Sequence, residues 1–272
     1  MSAVAKSRAR KRPRSRAQRP VHAEPHLVLL RAPRHPRNPP PLGGEFSVAT
    51  YNVHRWTGLN GRSRPEPARA CQVIAELGAD LIALQEVLRP SDGGDPLAEL
   101  ADALGLHVTF AATRMHRRGQ IGNAILSSWP IAGVSMLDLS FSRVESRVAV
   151  AAQLSGGSVG LDVVATHLAL AARTRHRQVK SLLEHPRLSE MPTLLMGDMN
   201  SWRRCKATRK LDEELASESG LRWPPSFPST SPVLALDRVY ARGLRILAVE
   251  THASAEARRA SDHLPVVARV RL

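Results

Sequence analysis

The sequence predicts a layered α/β protein, and three observations carry that expectation. Strand-like runs outnumber helical ones, and the two kinds interleave along the chain. Neither GxGxxG nor GxxxxGK[ST] occurs, which argues against a doubly wound nucleotide fold. The texture also changes abruptly at Glu45, leaving a body of 228 residues that suits one large domain better than two small ones. No repeat recurs at a fixed period.

Taken in order, FSVATY (46–51) reads as a strand, followed by a turn rich in glycine around Gly58 and Gly61. Segment 65–78 opens on prolines, sets Ala70, Cys71, Ile74 and Leu77 at helical spacing and stops at Gly78. LIAL (81–84) is short and wholly apolar, as in a strand buried on both faces. A second helix is expected over 95–104, ending at Gly105, then strands near 107–111, 121–127, 131–137, 146–154 and 159–166. A basic helix near 171–185, a buried strand at 193–196 and a helix near 208–219 follow. Strands at 236–240, 244–250 and 265–270 close the chain.

The net charge of +15 is unevenly placed. Residues 1–44 hold 11 Lys and Arg against Glu24 alone, giving +10, so the body carries only +5. Eight prolines, the cationic cluster and one short apolar patch (27–30) predict that residues 1–44 form a disordered tail, with the folded domain spanning 45–272. Such a tail can attract nucleic acid or anionic lipid, or it can be an inert solvated extension. It lacks the 7–15-residue apolar stretch of a secretory signal, and Pro13 and Pro20 interrupt any presequence helix. No run approaches the ~20 apolar residues of a membrane span. The expectation is a cytoplasmic monomer, with a membrane-peripheral setting as the alternative. Cys71 and Cys205 supply neither a disulfide framework nor a metal-ligand spacing. Aromatics at 4% argue against a face of rings for stacking bases.

Polar residues that break the apolar pattern share one expected location, the C-terminal end of a strand. Asn52 follows FSVATY, Glu86 follows LIALQ, His167 follows LDVVAT, and Asp198 with Asn200 follow TLLMG. Asp237 follows VLAL, while Asp262 and His263 precede LPVVARV. One such residue is an ordinary turn-former, but the whole set at strand ends is hard to assign to turns. Four carboxylates and two amides form an oxygen-rich set that selects a hard cation, Mg²⁺ or Mn²⁺, over zinc. Two histidines add proton transfer near neutral pH. The combination fits metal-assisted hydrolysis of a phosphate ester, and without a GxSxG elbow acyl transfer is disfavoured.

The segments ATYNVH (49–54), LQEV (84–87), GNAILSS (122–128), ATHL (165–168), GDMN (197–200), LDRVY (236–240) and SDHLP (261–265) occur in that order. Together they resemble the endonuclease/exonuclease/phosphatase superfamily, with its DNase I-like fold, most of all its small bacterial members of uncertain substrate. The resemblance covers 45–272 and implies a four-layer α/β/β/α sandwich of two packed mixed sheets. It implies a Mg²⁺-dependent phosphoesterase acting on a diester or monoester, with a nuclease and a catalytically silent phosphate-binding module as alternatives. In that likeness Glu86 is the direct metal ligand, Asn52 stands beside it, and Asp262 is a second acid near the metal. Asp198 activates the attacking water, and Asn200 holds the phosphate or that carboxylate. His263 contacts the scissile phosphate with Asp237 fixing its tautomer, and His167 stabilises or protonates the leaving oxygen. Arg147 is a candidate phosphate contact, or else an exposed surface charge. Trp202 lines the cleft, or else is a core or rim residue. His54 stands where the apurinic-site nucleases usually carry an acid, which leaves the substrate open.

Overall fold

The computed structural model describes residues 26–141, 145–156, 159–188, 192–215 and 222–272. Two sheets pack face to face. The larger contains β1 (His26–Arg31), β2 (Glu45–Asn52), β3 (Leu81–Pro90), β4 (His107–His116), β5 (Gly119–Ser127), β11 (Arg245–Thr251) and β12 (Val266–Arg271), in the order β1-β4-β5-β3-β2-β12-β11. The smaller contains β6 (Ile131–Asp138), β7 (Val148–Gly156), β8 (Val159–His167), β9 (Thr193–Asp198) and β10 (Asp237–Arg242), in the order β10-β9-β8-β7-β6. Only β2/β3 and β8/β9 run parallel among these pairings, so both sheets are mixed.

Strand periodicity explains the layering. Along β2, Phe46 and Val48 join the core between the sheets, while Ala49 and Tyr51 join a second core on the outer face. That outer core is closed by α1 (Pro67–Leu77), α2 (Pro96–Leu104) and α5 (Ala257–Ala260). On the far side, Val164 and Leu195 meet α3 (Ala172–Leu183) and α4 (Lys206–Leu215). Three apolar cores between four layers make this the expected α/β/β/α sandwich. Gly78 and Gly105 end α1 and α2 in left-handed conformations, as glycine after a helix does.

Two expectations need correction. Residues 26–44 belong to the fold rather than to a disordered tail. β1 pairs antiparallel with β4, Leu42 is buried in the inter-sheet core, and Trp129 Nε1 donates to Pro40 O at 2.9 Å. Proline content hid this, because an edge strand and a hydrogen-bonded connection tolerate proline where a central strand does not. Residues 1–25 lie outside the described residues. Second, the strand at Leu81 does not stop before Glu86 but runs to Pro90, through an irregularity in its pairing with β5 between Leu84 and Val87. The helix expected near 208–219 is α4, which spans 206–215, and residues 216–219 lie outside the described residues.

Burial of Leu42 is worth about 1.5–3 kcal/mol, to which the β1 ladder adds. A variant lacking residues 1–44 is therefore expected to melt at least ~5 °C below one lacking only residues 1–25. Coincident melting curves would mean that 26–44 contribute nothing.

Candidate functional site

The site forms where strand ends of both sheets meet. Asn52, His167 and Asp198 are the last residues of β2, β8 and β9. Asp237 is the first residue of β10 and so stands at the N-terminal end of a strand, not the expected C-terminal end, yet antiparallel pairing sets it directly opposite Asp198. The turn before β12 brings Asp262 and His263 to the same edge, because β12 runs antiparallel to β2. Thus residues 211 positions apart in sequence become neighbours.

The backbone is bent to expose these side chains. Every non-glycine residue with left-handed φ among the described residues lies here: His54, Arg55 and Trp56 in one turn, Glu86 at the β3 irregularity, and Asn200. Each such conformation costs about 1–3 kcal/mol and persists only where its surroundings enforce it. Gly197 precedes Asp198 with φ 152°, and a Cβ there would overlap Thr166 O, so the close approach of β9 to β8 admits no side chain.

Asp198 is the centre. Its side chain is 2% exposed. It accepts from Asn52 Nδ2 at 3.2 Å and from Asn200 N at 2.8 Å, with His167 Nε2 at 3.4 Å and His263 Nε2 at 3.7 Å. Burial pushes its pKa up to about 6; His263 opposes that rise and Asp237 adds to it. Asp237 and His263 form a buried pair, Nδ1 to Oδ2 at 2.8 Å, and Ser226 Oγ donates to the same oxygen at 2.6 Å. Burial disfavours the imidazolium, but Asp237, Asp198 and the hydrogen bond outweigh it and push His263 up to about 10. His167 goes the other way: burial, then Arg147 and His263, hold it well below the usual histidine range. Neutral His167 accepts from Asn200 Nδ2 at Nε2 (3.0 Å) and leaves Nδ1 facing Glu86 Oε1 at 4.0 Å. It can share a hydrogen bond but is poorly placed to carry a positive charge.

A cleft of about 280 Å³ brings together Asn52, Glu86, Arg147, His167, Asp198, Asn200, Asp262 and His263. Asp237 lies beneath it, fully buried. The three residues expected to touch substrate line the cleft as well. Arg147 is not a surface charge: its side chain is 15% exposed, paired with Glu145 and in the field of Glu86 and Asp198. Trp202 is a rim residue rather than core, 53% exposed. His54 is tied by Nδ1 to Gly58 O at 2.9 Å and Asp262 Oδ1 at 3.2 Å.

Glu86, Asp262 and the Asn52 amide supply oxygen donors, which fit a hard divalent cation. The ligand atoms of Asp198, Asp237 and His263 also lie within 4.8 Å of one another. A histidine held protonated has no free lone pair, however, so this trio is better built to hold a proton than a metal.

Sequence reasoning missed several members. Ser226 supports Asp237, Ser261 Oγ donates to Asn52 O at 2.7 Å, and the Phe227 ring packs 5.0 Å from His263. Arg55 Nε lies 3.3 Å from Glu86 Oε2. Ser261 carried a signal, as the first residue of SDH, whereas Ser226 and Arg55 carried none.

The model of the Endonuclease/Exonuclease/phosphatase family matches residues 49–263. The chain belongs to this family. Its members are generally phosphoester hydrolases that use divalent metals. The chain is 29% identical over 250 residues to the uncharacterized protein YbhP of Escherichia coli, covering 84% of this chain and 96% of that one. An endonuclease/exonuclease/phosphatase structure from Beutenbergia cavernae superposes with a TM-score of 0.65 at 21% identity, over 84% of this chain and 72% of that one. The human Nocturnin catalytic domain with bound sulfate gives a TM-score of 0.65 at 18% identity, over 84% and 93%. These two establish the shared fold. No helix among the described residues is long and apolar enough to cross a membrane.

Proposed function

We propose that this chain is a Mg²⁺-dependent phosphoesterase that hydrolyses its substrate by in-line attack of an activated water, Mn²⁺ being a workable substitute. The observation that carries this reading is the environment of Asp198, a buried carboxylate aimed into the cleft with its pKa near 6. A general base works best when its pKa approaches the working pH. Asn52 and the Asn200 backbone orient the carboxylate from two sides, so one oxygen can take the proton of a water lying in the cleft.

His263, charged and locked by Asp237, offers Nε2–H to a non-bridging phosphate oxygen as negative charge develops there. Arg147 adds a second cation to the lining of the same cleft. Glu86, with Asn52 and Asp262, would hold the metal, which when bound supplies Lewis-acid stabilisation of the phosphoryl oxygens. His167 contributes a neutral hydrogen bond near the leaving oxygen instead of a transferable proton.

Plasmid nicking, compared with phosphate or headgroup release from nucleotide and lipid panels with and without EDTA, tests the reading. Turnover of at least one class is expected, lost on chelation and restored by Mg²⁺. Equal turnover with and without EDTA would overturn the metal assignment; phosphate binding without turnover would leave only a binding module.

A further inference from the structure

Beside the cleft lies a second cavity of about 330 Å³, and its lining is dominated by Arg55, Arg62, His116, Arg117 and Arg118. The arginines come from two separate segments, the turn after β2 and the β4–β5 hairpin, which face each other across the cavity. No carboxylate lines it among the described residues. Arg118 Nη1 donates to Ser63 O at 2.9 Å, and its backbone N donates to His116 Nδ1 at 3.2 Å. That second bond makes Nδ1 an acceptor and leaves Nε2 to carry the ring proton. Burial, then Arg114, Arg117, Arg118 and Arg55, lower the proton affinity of His116. Arg62 and Arg117 make no ion pair with any described residue.

Solvated surface arginines ordinarily spread apart, because like charges repel. Here they converge on a concavity whose own lining carries no acid, Arg55 alone being paired, with Glu86 outside that lining, and the excess of cations favours an anion. The placement is specific. Arg55 lines this cavity, while its Nε is 3.3 Å from Glu86 Oε2 in the catalytic cleft. Gly61 lets the His54 and Arg55 side chains pack against its backbone, since a Cβ there would come within 2.7 Å of His54 Nε2 and closer still to the Arg55 guanidinium.

We propose that this cavity is a second anion subsite, which takes a phosphate group of the substrate next to the one being cleaved. As a substrate subsite it rests on the phosphoesterase reading of the adjoining cleft. It narrows the substrate to compounds with at least two phosphates, such as a nucleotide strand or a polyphosphorylated headgroup. A guanidinium–phosphate contact is charge-assisted and bidentate, so two of them should give a clear preference.

Calorimetric titration of the full-length Asp198→Ala protein, which cannot turn the ligands over, tests this at fixed ionic strength. One arm compares thymidine 3′,5′-bisphosphate with thymidine 5′-monophosphate; the other compares inositol 1,4-bisphosphate with inositol 1-phosphate. The bisphosphate is expected to bind at least about 10-fold more tightly in one arm, and that arm identifies the source of the phosphate. Adding Arg62→Gln and Arg117→Gln should bring the ratio to within about two-fold, while Arg62→Lys with Arg117→Lys retains part of it. Both pairs are exposed, and matched melting curves confirm that the variants fold. Equal affinities in both arms, or a preference that survives the glutamine pair, would overturn the subsite. A chain that shows the preference but hydrolyses nothing in its wild-type form would overturn the phosphoesterase reading instead.

Discussion

Asp198→Asn is expected to lower kcat by about 10²–10⁴-fold, the range set by losing a positioned general base, while the protein stays as stable as before. The stability half follows from the sign of the pKa shift. A buried acid whose pKa is raised to about 6 imposes no penalty below its unfolded value of 3.8; the penalty grows as pH rises through 6. At pH 8 the ionised carboxylate therefore works against the fold. Asparagine removes that charge and keeps an oxygen to accept from Asn200 N, so the midpoint at pH 8 should hold or rise. Wild-type kcat/KM should fall as pH drops below about 6, since the base is then protonated. Thermal melts and pH-rate profiles on both proteins check this. Full activity in Asp198→Asn, or a wild-type acid limb far from pH 6, would remove Asp198 as the base.

How far the sequence alone reaches depends on what holds each feature. Elements with strong local signals were legible: α1 and α2 have prolines at their starts and glycines at their ends, and β8 and β9 each carry a short apolar run at their centre, 163–165 and 194–196. β1 was not, because an edge strand buries little of itself and its pairing partner lies about 80 residues away. Glu86 was seen as a site candidate, but its place within β3 depends on a left-handed residue that no local motif announces. The cleft residues were recognisable because polar groups interrupt apolar runs there. Their supports were not: Ser226 and Arg55 are ordinary residue types whose roles exist only once distant loops meet. Arg147 could not be separated from 33 other arginines by pattern, whereas burial against Glu145 and the field of Asp198 separate it at once.

The buried pair beneath the cleft makes the second large prediction. Asp237→Asn is expected to lower kcat about 10²-fold and to change how stability depends on pH. In the wild type, the His263 pKa is raised from 6.5 to about 10. A raised basic pKa contributes stability that is complete below pH 6.5 and is lost as pH climbs through 10. Asp237 is the foremost of the groups that raise it, ahead of Asp198, and asparagine can receive the Nδ1 hydrogen bond but cannot balance the charge. Burial then dominates, and His263 loses its proton in the folded state at a much lower pH. The wild-type melting midpoint, measured in EDTA, should therefore decline between pH 6.5 and 10 relative to that of Asp237→Asn. The variant should be the weaker fold at pH 6.5, and the gap should narrow on going to pH 10. Parallel curves for the two proteins would show that Asp237 does not hold the proton on His263. In that case the loss of activity would have to come from ring orientation alone, which a tautomer-sensitive NMR measurement of the His263 ring nitrogens would detect as a change in which nitrogen is protonated.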